Sequence, residues 1–421
     1  MPRVQMVLFS SELQKQSSMN ALSTSQLPVG FQASGSTCGI KVSGKPDLAL
    51  FVSDRDATAA GVFTTNKVCG APVIVSKQRV PSTVARAVII NSGNSNAATG
   101  EPGIQDAKRM TLALAEQLGC DTKSVCVCST GVIGVPLPMP LILNGIPHGI
   151  QSLGTSDKHF LEAATAMMTT DTFPKLTSMD VAVAGGTVRV SGACKGAAMI
   201  APNMATMLSV MMTDAQLTPA QCDSALRFGV DRTFNCISVD GHMSTSDTVL
   251  LLANGAVGGS LTDADFAKVR EAIQQVCQKL ATDIIRDAEG ADHFITIDVT
   301  GMETREAAYR MAQEIADSAL VKTAIAGGDP NWGRIVSAAG YAHVDFDTAF
   351  VSLHINGTEV YRAGIPVPFD AAALSKQLKT NRDVHLQLAV SGGPCSGNES
   401  VRFWTSDLTQ EYVRLNSEYT T

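Results

Sequence analysis

A chain of 421 residues is longer than one ordinary hydrophobic core serves, so two domains, or two halves sharing a large interface, are expected. Hydrophobic residues make up 45% and charged residues 17%, which excludes a disordered chain; a net charge of −7 without a Lys/Arg-rich run excludes a general affinity for nucleic acid. No run of about 18 apolar residues is present, so no membrane-spanning helix is expected.

Residues 1–26 are rich in Ser and Gln with little periodicity, and read as a disordered tail or as an extension from a start codon placed before a true start at Met19. A transit-peptide reading rests only on Arg3 and Lys15. Regular pattern begins near Leu27. Leu48–Val52 and Ala85–Ile90 are short apolar runs bounded by turn residues, and predict strands. The composition around Asp106–Leu118 predicts a helix that stops at Gly119. Val125–Cys128 predicts a strand, with Cys126 and Cys128 on one face. Val181–Ala184 and Thr187–Val190 flank Gly185-Gly186, a hairpin signal.

In the second half, Ala197–Met212 reads as buried core broken by Pro202 and Asn203. Thr218-Pro219 opens a helix toward Arg227. Phe266, Val269, Ile273, Val276, Leu280 and Ile284 step by three or four, the spacing of a helix with one buried face. Glu303–Ile315 predicts another helix, Phe294–Val299 and Ala349–Ile355 predict strands, and Asp370 caps a short helix through Leu378. Strands and helices alternate throughout, which predicts an α/β fold of layered sheets covered by helices on one side.

The ten cysteines include no Cys-x-x-Cys pair and no zinc spacing, and read as reduced core residues of a cytoplasmic protein. The seven histidines never fall at metal-ligand spacing. Dinucleotide fingerprint, phosphate loop and Gly-x-Ser-x-Gly elbow are all absent. If the protein activates a hydroxyl, its base need not be a histidine.

In Lys195-Gly-Ala-Ala-Met-Ile-Ala-Pro-Asn-Met-Ala-Thr206, a small residue precedes a threonine inside an apolar stretch. Local pattern leaves two readings of Thr206. One is a core threonine. The other is an N-terminal nucleophile freed by cleavage before it, whose α-amine, with an ordinary pKa near about 8, serves as its own base.

A set of ordered motifs bears on that choice. They are Gly61-Val-Phe-Thr-Thr-Asn-Lys67, Asn91-Ser-Gly-Asn-Ser-Asn-Ala-Ala-Thr-Gly100, Ser129-Thr-Gly-Val-Ile-Gly134, Met168-Thr-Thr-Asp-Thr172, the Lys195–Thr206 block, Ser244-Thr-Ser-Asp-Thr248, Lys322-Thr-Ala-Ile-Ala-Gly327, Asp329-Pro-Asn-Trp-Gly-Arg334 and the terminal Tyr412-Val-Arg-Leu-Asn-Ser-Glu-Tyr-Thr-Thr421. In that order, from Leu27 to the last residue, the chain resembles the ornithine acetyltransferase family, also called glutamate N-acetyltransferase.

The resemblance implies a self-cleaving enzyme of the N-terminal-nucleophile type, cut between Ala205 and Thr206. The resulting chains, 27–205 (after the 1–26 extension) and 206–421, would form one catalytic unit. Thr206 would be the nucleophile, and Thr130 and Gly131 the oxyanion hole. Thr169, Lys195, Thr206, Glu289, Asn416 and Thr421 would contact substrate, with Thr170 the alternative to Thr169. The implied reaction moves acetyl from N2-acetyl-L-ornithine to L-glutamate through acetyl-Thr206, within the cyclic route to arginine, without metal or redox cofactor. A heterotetramer of the two chains is the implied assembly, with neither nucleic acid nor membrane as partner. Alternatives left open are a bifunctional form that also uses acetyl-CoA, and an aminopeptidase or amidase on the same scaffold. The sequence departs from the family pattern at His242 and Met243, where acidic and small polar residues are usual, and at Cys69, Ser92, Ser95, Ala197 and Ala198.

Overall fold

The computed structural model describes residues 25–201, 207–393 and 395–418. The strands, in chain order, are β1 Phe31–Ser36, β2 Leu48–Phe63, β3 Ser82–Asn94, β4 Val125–Val132, β5 Lys175–Val183, β6 Gly186–Lys195, β7 Leu208–Thr213, β8 Ile237–Ser238, β9 Thr248–Ala253, β10 Phe294–Met302, β11 Val351–Ile355, β12 Thr358–Arg362, β13 Ile365–Pro366, β14 Asp383–Val390 and β15 Ser396–Ser406. The helices are α1 Ala71–Lys77, α2 Gly100–Leu118, α3 Met139–Gln151, α4 Asp157–Met167, α5 Pro219–Arg232, α6 Asp263–Arg286, α7 Arg305–Asp317, α8 Ala319–Ala326, α9 Trp332–Gly340, α10 Ala371–Thr380 and α11 Gln410–Glu418.

Two sheets organise these elements. The first runs β4-β3-β2-β9-β7-β6-β5, with β1 added against the first half of β2; the second runs β13-β12-β11-β14-β10-β15-β8. The β3–β4 and β7–β9 pairs are parallel, and β6–β7 is antiparallel with Lys195 opposite Leu208. Strands on either side of residues 205 and 206 therefore belong to one sheet.

Period-two alternation splits the first sheet between its faces. Ile89, Val125 and Val127 pack with Met110 and Leu114 of α2 and Ile142 of α3, whereas their neighbours Ile90, Cys126 and Cys128 pack with Phe160 and Ala163 of α4. On β7 and β9, Met211 and Leu251 meet Val276 and Leu280 of α6, while Val210 and Leu250 face the α4 side. Helices thus cover both faces of this sheet, a correction to the one-sided cover expected from the pattern. The runs of β3, β4, β7 and β9 are apolar at consecutive positions, as strands buried on both faces must be.

The α6 stripe behaves as its spacing predicts: Val269, Ile273, Val276, Leu280 and Ile284 are all 2% exposed or less, and only Phe266 at the first turn is half-buried. Each such aliphatic side chain contributes about 1.5–3 kcal/mol of burial free energy. Thr218 caps α5 in a full capping box with Gln221, and the helix continues past Arg227 to Arg232. Asp370 caps α10 through the Ala373 N–H, and Gly119 ends α2 with φ +65°. The hairpin turn falls one residue early, at Ala184-Gly185, since Val183 pairs with Gly186. Residues 349–350, read as the start of a strand, belong to a short 3-10 turn before β11.

All ten cysteines are free thiols, and burial pushes those of Cys126 and Cys128 well up, away from the reactive thiolate. No helix among the described residues is long and apolar enough to cross a membrane. Of the expected N-terminal extension, only Ser25 and Gln26 fall among the described residues; the Gln26 N–H donates to Ser178 Oγ on β5, and its carbonyl accepts from Ser191 Oγ on β6.

Candidate active site

The site begins where β3 and β4 run side by side. Ser92 lies opposite Thr130 and Gly93 opposite Gly131, after which the register slips at Asn94. Gly131 has φ +130°, and a Cβ there would stand 2.3 Å from the Gly93 carbonyl carbon, so no other residue fits. The Asn91–Gly100 motif is the scaffold of this turn. Asn91 Oδ1 accepts from Ser129 Oγ at 2.5 Å, Ser95 Oγ donates to Val132 O at 2.8 Å, and Asn94 Nδ2 donates to Val135 O at 3.0 Å. Ser92 Oγ donates to Ala166 O at 2.6 Å, tying α4 to the same edge.

Lys195 ends β6 beneath that turn. It is 6% exposed, and its Nζ lies 3.3 Å from Thr130 Oγ1. Burial lowers its pKa below the usual lysine value, while Asp171, Asp247 and Glu289 pull it back up. Among the described residues its Nζ hydrogen-bonds only to Thr130, so a carboxylate entering the cavity would meet a cation already stripped of most of its water.

The Met168–Thr172 motif is held by a buried ion triad. Lys175 Nζ lies 2.7 Å from Asp171 and 2.5 Å from Asp287, with all three side chains at most 2% exposed. Asp171 also accepts the Gly196 N–H at 2.7 Å and the Thr169 N–H at 3.0 Å; Asp287 accepts from the Thr172 N–H and hydroxyl. Burial works to raise the Asp171 pKa, but Lys175 and Lys195 hold it at about 2. Lys41, which burial lowers to about 8, adds a bond from Nζ to Met168 O at 2.7 Å. The triad fixes both walls of the site at once, since Thr169 and Gly196 belong to different strands of chain.

The opposite wall comes from the second half. Asp240 accepts the N–H groups of Met199 at 2.7 Å and Ile200 at 2.9 Å, which anchors Met199 in the left-handed region at φ +57°. Thr64 Oγ1 donates to Ser244 O at 2.9 Å and the Gly70 N–H to Thr245 O at 2.7 Å, fastening the Ser244–Thr248 segment. The terminal helix α11 then closes over this wall. Tyr412 OH donates to Asp240 Oδ2 at 3.1 Å and Asn416 Nδ2 to Glu289 Oε2 at 3.2 Å. Gly290, with φ +65°, permits that approach: a Cβ there would stand 2.4 Å from Tyr412 N.

Thr130, Gly131, Thr169, Lys195, Glu289 and Asn416 all line one cavity of about 300 Å³. Thr170 lines it as well, so the neighbouring threonines share the wall. Ala205, Thr206 and Thr421 lie outside the described residues; the chain re-enters at Met207, immediately before the Leu208–Lys195 pair. Sequence reasoning missed Asp240, Tyr412 and Ser244–Ser246 as lining residues, and the Asp171–Lys175–Asp287 triad beneath them. A signal for the triad existed in Asp171, which sits inside a motif already singled out. Nothing local marks Lys175 or Asp287 as its partners. His242, a departure from the family pattern, also lines the cavity. Among the described residues no three His, Cys, Asp or Glu side chains converge as a metal site.

Comparison with known proteins follows the same outline. An "Arginine biosynthesis bifunctional protein ArgJ" from Rhodopirellula baltica is 47% identical over 399 residues, covering 94% of this chain and 96% of its own. One of the same name from Parasynechococcus marenigrum is 42% identical over 396 residues, covering 94% of each chain. A crystal structure of the arginine biosynthesis bifunctional protein from Bacillus halodurans is 35% identical, with a TM-score of 0.46, covering 49% of this chain and 96% of that one. The ArgJ family model matches residues 32–421, and the chain belongs to the ArgJ family.

Proposed function

We propose that this chain is an N-acetyltransferase of arginine biosynthesis, moving acetyl from N2-acetyl-L-ornithine to L-glutamate through an ester on Thr206. The observation that carries the proposal is the single cavity shared by Thr130, Gly131, Thr169, Lys195, Glu289 and Asn416, residues up to 286 positions apart. The relatives' shared name, an arginine biosynthesis protein, supports the same pathway.

In this reading the Ala205–Thr206 bond breaks first. The freed α-amine of Thr206 takes the proton of its own hydroxyl as Oγ attacks the acetyl carbonyl. Thr130 and the Gly131 N–H take up the charge on the carbonyl oxygen; a donor of this kind contributes roughly 3–4 kcal/mol to lowering the barrier. Lys195 holds the substrate carboxylate, and Glu289, bonded to Asn416, faces the ornithine ammonium. Ornithine leaves, and the glutamate amine collects the acetyl group. The steps as written need no metal or redox cofactor. The two cleaved chains would assemble as a heterotetramer in the cytoplasm, where ten free thiols stay reduced.

Intact mass spectrometry after brief exposure to N-acetylornithine tests this. The expected result is a C-terminal fragment beginning Thr-Met-Leu-Ser-Val and carrying an extra mass of roughly 42 Da, one acetyl group on the acyl-enzyme. Thr206→Ala is expected to stay uncut and to transfer nothing. An active protein that remains one chain would remove Thr206 as the nucleophile. The relatives' name also contains the word bifunctional, so a parallel assay supplies acetyl-CoA and glutamate alone. The aminopeptidase or amidase reading gains no support from these relatives.

A further inference from the structure

Two residues of α11, Tyr412 and Asn416, line the cavity one helical turn apart, and they stand where the root of that helix puts them. The root is fastened to the segment that carries Glu289. Thr409 Oγ1 donates to Gly290 O at 2.5 Å and accepts the Tyr412 N–H at 3.2 Å, which ties down the first turn. Asp407 Oδ1 accepts the N–H groups of Asp292 at 3.0 Å and His293 at 3.1 Å. Residues 289–293 and α11 are thus joined at the root by Asp407 and Thr409, and at the cavity by the bond between Asn416 and Glu289.

The His293 side chain completes this root. It is 8% exposed, and the Asp407 side chain is fully buried. Nδ1 lies 2.6 Å from Asp407 Oδ2, and Nε2 lies 2.8 Å from the Leu378 carbonyl oxygen on α10. A carboxylate and a carbonyl oxygen only accept, so both contacts are hydrogen bonds only when both ring nitrogens carry protons, and that ring is the imidazolium cation. A neutral ring would set one nitrogen lone pair against an oxygen in a buried place, where an unmade bond is costly. The bond to Asp407 raises His293 above the ordinary histidine value of 6.5 and burial opposes the rise, while the Leu378 carbonyl and the charges of Asp407 and Asp292 add to it. Lys322 on α8 reaches the same corner. Its Nζ donates to Thr405 Oγ1 at 2.8 Å and to Ser406 O, it faces Asp407, and burial lowers it to about 8.

We propose that His293 is a positioning residue, a buried imidazolium whose two bonds root α11 and so hold Tyr412 and Asn416 over the cavity. Its kinetic consequence rests on the reading of this cavity as the site of acetyl transfer. The clasp is complete below the ordinary histidine value and is lost as pH rises through the higher folded value. Loss of the Nε2 proton turns the contact with Leu378 O from attraction to repulsion, and the ring can relieve it only by moving away from its place between α10 and Asp407. Thr130 and Gly131 stand on β4, in the other sheet, and do not depend on α11 for their place. The clasp therefore acts on how firmly substrate is held and leaves the chemical step alone.

Nitrogen NMR of the full chain with isotope-labelled histidines reads the ring directly. The signals missing from His293→Gln are expected to show two protonated nitrogens in mild acid and one as pH rises through the raised value. A ring already neutral in mild acid overturns the proposal. Hydrogen exchange of residues 407–418 by mass spectrometry, corrected for its intrinsic pH dependence, should quicken about tenfold over the same range, the lower end for a hydrogen bond to a charged group. His293→Lys supplies a cation that persists until about pH 10 and leaves Lys322 in place, so its exchange is expected to stay nearly level and any residual change in it belongs to Lys322. The Michaelis constants of the wild type for N-acetylornithine and glutamate should rise with pH by a like factor relative to His293→Lys, with kcat in step between the two. A wild type that matches His293→Lys at every pH, or whose difference from it falls on kcat alone, overturns the proposal. Wild-type exchange of residues 407–418 that is indifferent to pH overturns it without any variant. The spectra and the exchange need no turnover, so a chain that transfers no acetyl group removes the proposed function and leaves them to decide the clasp.

Discussion

Replacing Lys175 by Met removes the one cation between two buried carboxylates. Both partner side chains are at most 2% exposed, so water and salt cannot compensate, and stranding a buried charge in this way costs about 3–5 kcal/mol. The lower end is expected, about 3 kcal/mol, because Asp171 keeps the Gly196 and Thr169 N–H groups and Asp287 keeps Thr172. The pH dependence has a definite sign. In the wild type, Asp171 sits at about 2, below its usual value of 3.8. Its contribution is therefore present above that usual value and lost as pH falls through about 2. Without Lys175, burial dominates and the folded-state Asp171 carboxyl rises above its unfolded value. The folded variant then binds more protons than the unfolded chain, and its deficit shrinks as pH is lowered from neutral. Urea unfolding followed by the fluorescence of Trp332 and Trp404 measures both. Adding Asp287→Asn to Lys175→Met should recover stability by removing one stranded charge. A deficit under about 1 kcal/mol, the scale of an exposed pair, or one that grows on acidification, would refute the account.

Two further outcomes follow from named contacts. His293 Nδ1–H donates to Asp407 at 2.6 Å, and this bond raises the histidine pKa against the opposing effect of burial. That contribution is complete below the unfolded value of about 6.5 and disappears as pH rises through the higher folded value, so Asp407→Asn should lose more stability in mild acid than in alkali; equal losses at both would contradict it. Gly290→Ala places a methyl 2.4 Å from Tyr412 N and should displace α11 from the cavity. The Michaelis constants for both substrates are expected to rise about tenfold, or about 1.4 kcal/mol of binding; unchanged constants would show that α11 does not shape the site.

How the sequence related to this structure is clearest at particular elements. The α6 stripe, the Thr218 and Asp370 caps and the Gly119 stop follow from residues within one or two turns of each other, and they appear where the spacing places them. The family resemblance carried by the ordered motifs likewise implied Thr130, Gly131, Thr169, Lys195, Glu289 and Asn416, and these converge on one cavity. The α/β class followed from alternation alone. The helices α3 and α4 were not foreseen, because neither carries a long periodic stripe, and α3 contains Pro147.

What only the tertiary structure decided are relations between distant residues. Lys175 and Asp287 are 112 positions apart, and no local pattern says that they share a buried bond. The cover on both faces of the first sheet depends on which strands are neighbours, and β2–β9 and β6–β7 pairing is fixed by packing across the whole chain. Asp247 shows the same division. The sequence displays it as one more polar residue in Ser-Thr-Ser-Asp-Thr, and only the fold buries it and so pushes its pKa up. Local sequence determines conformation through short-range hydrogen bonds and side-chain periodicity. Burial, pairing and proton affinity belong to the assembled structure, because they depend on what the rest of the chain places alongside.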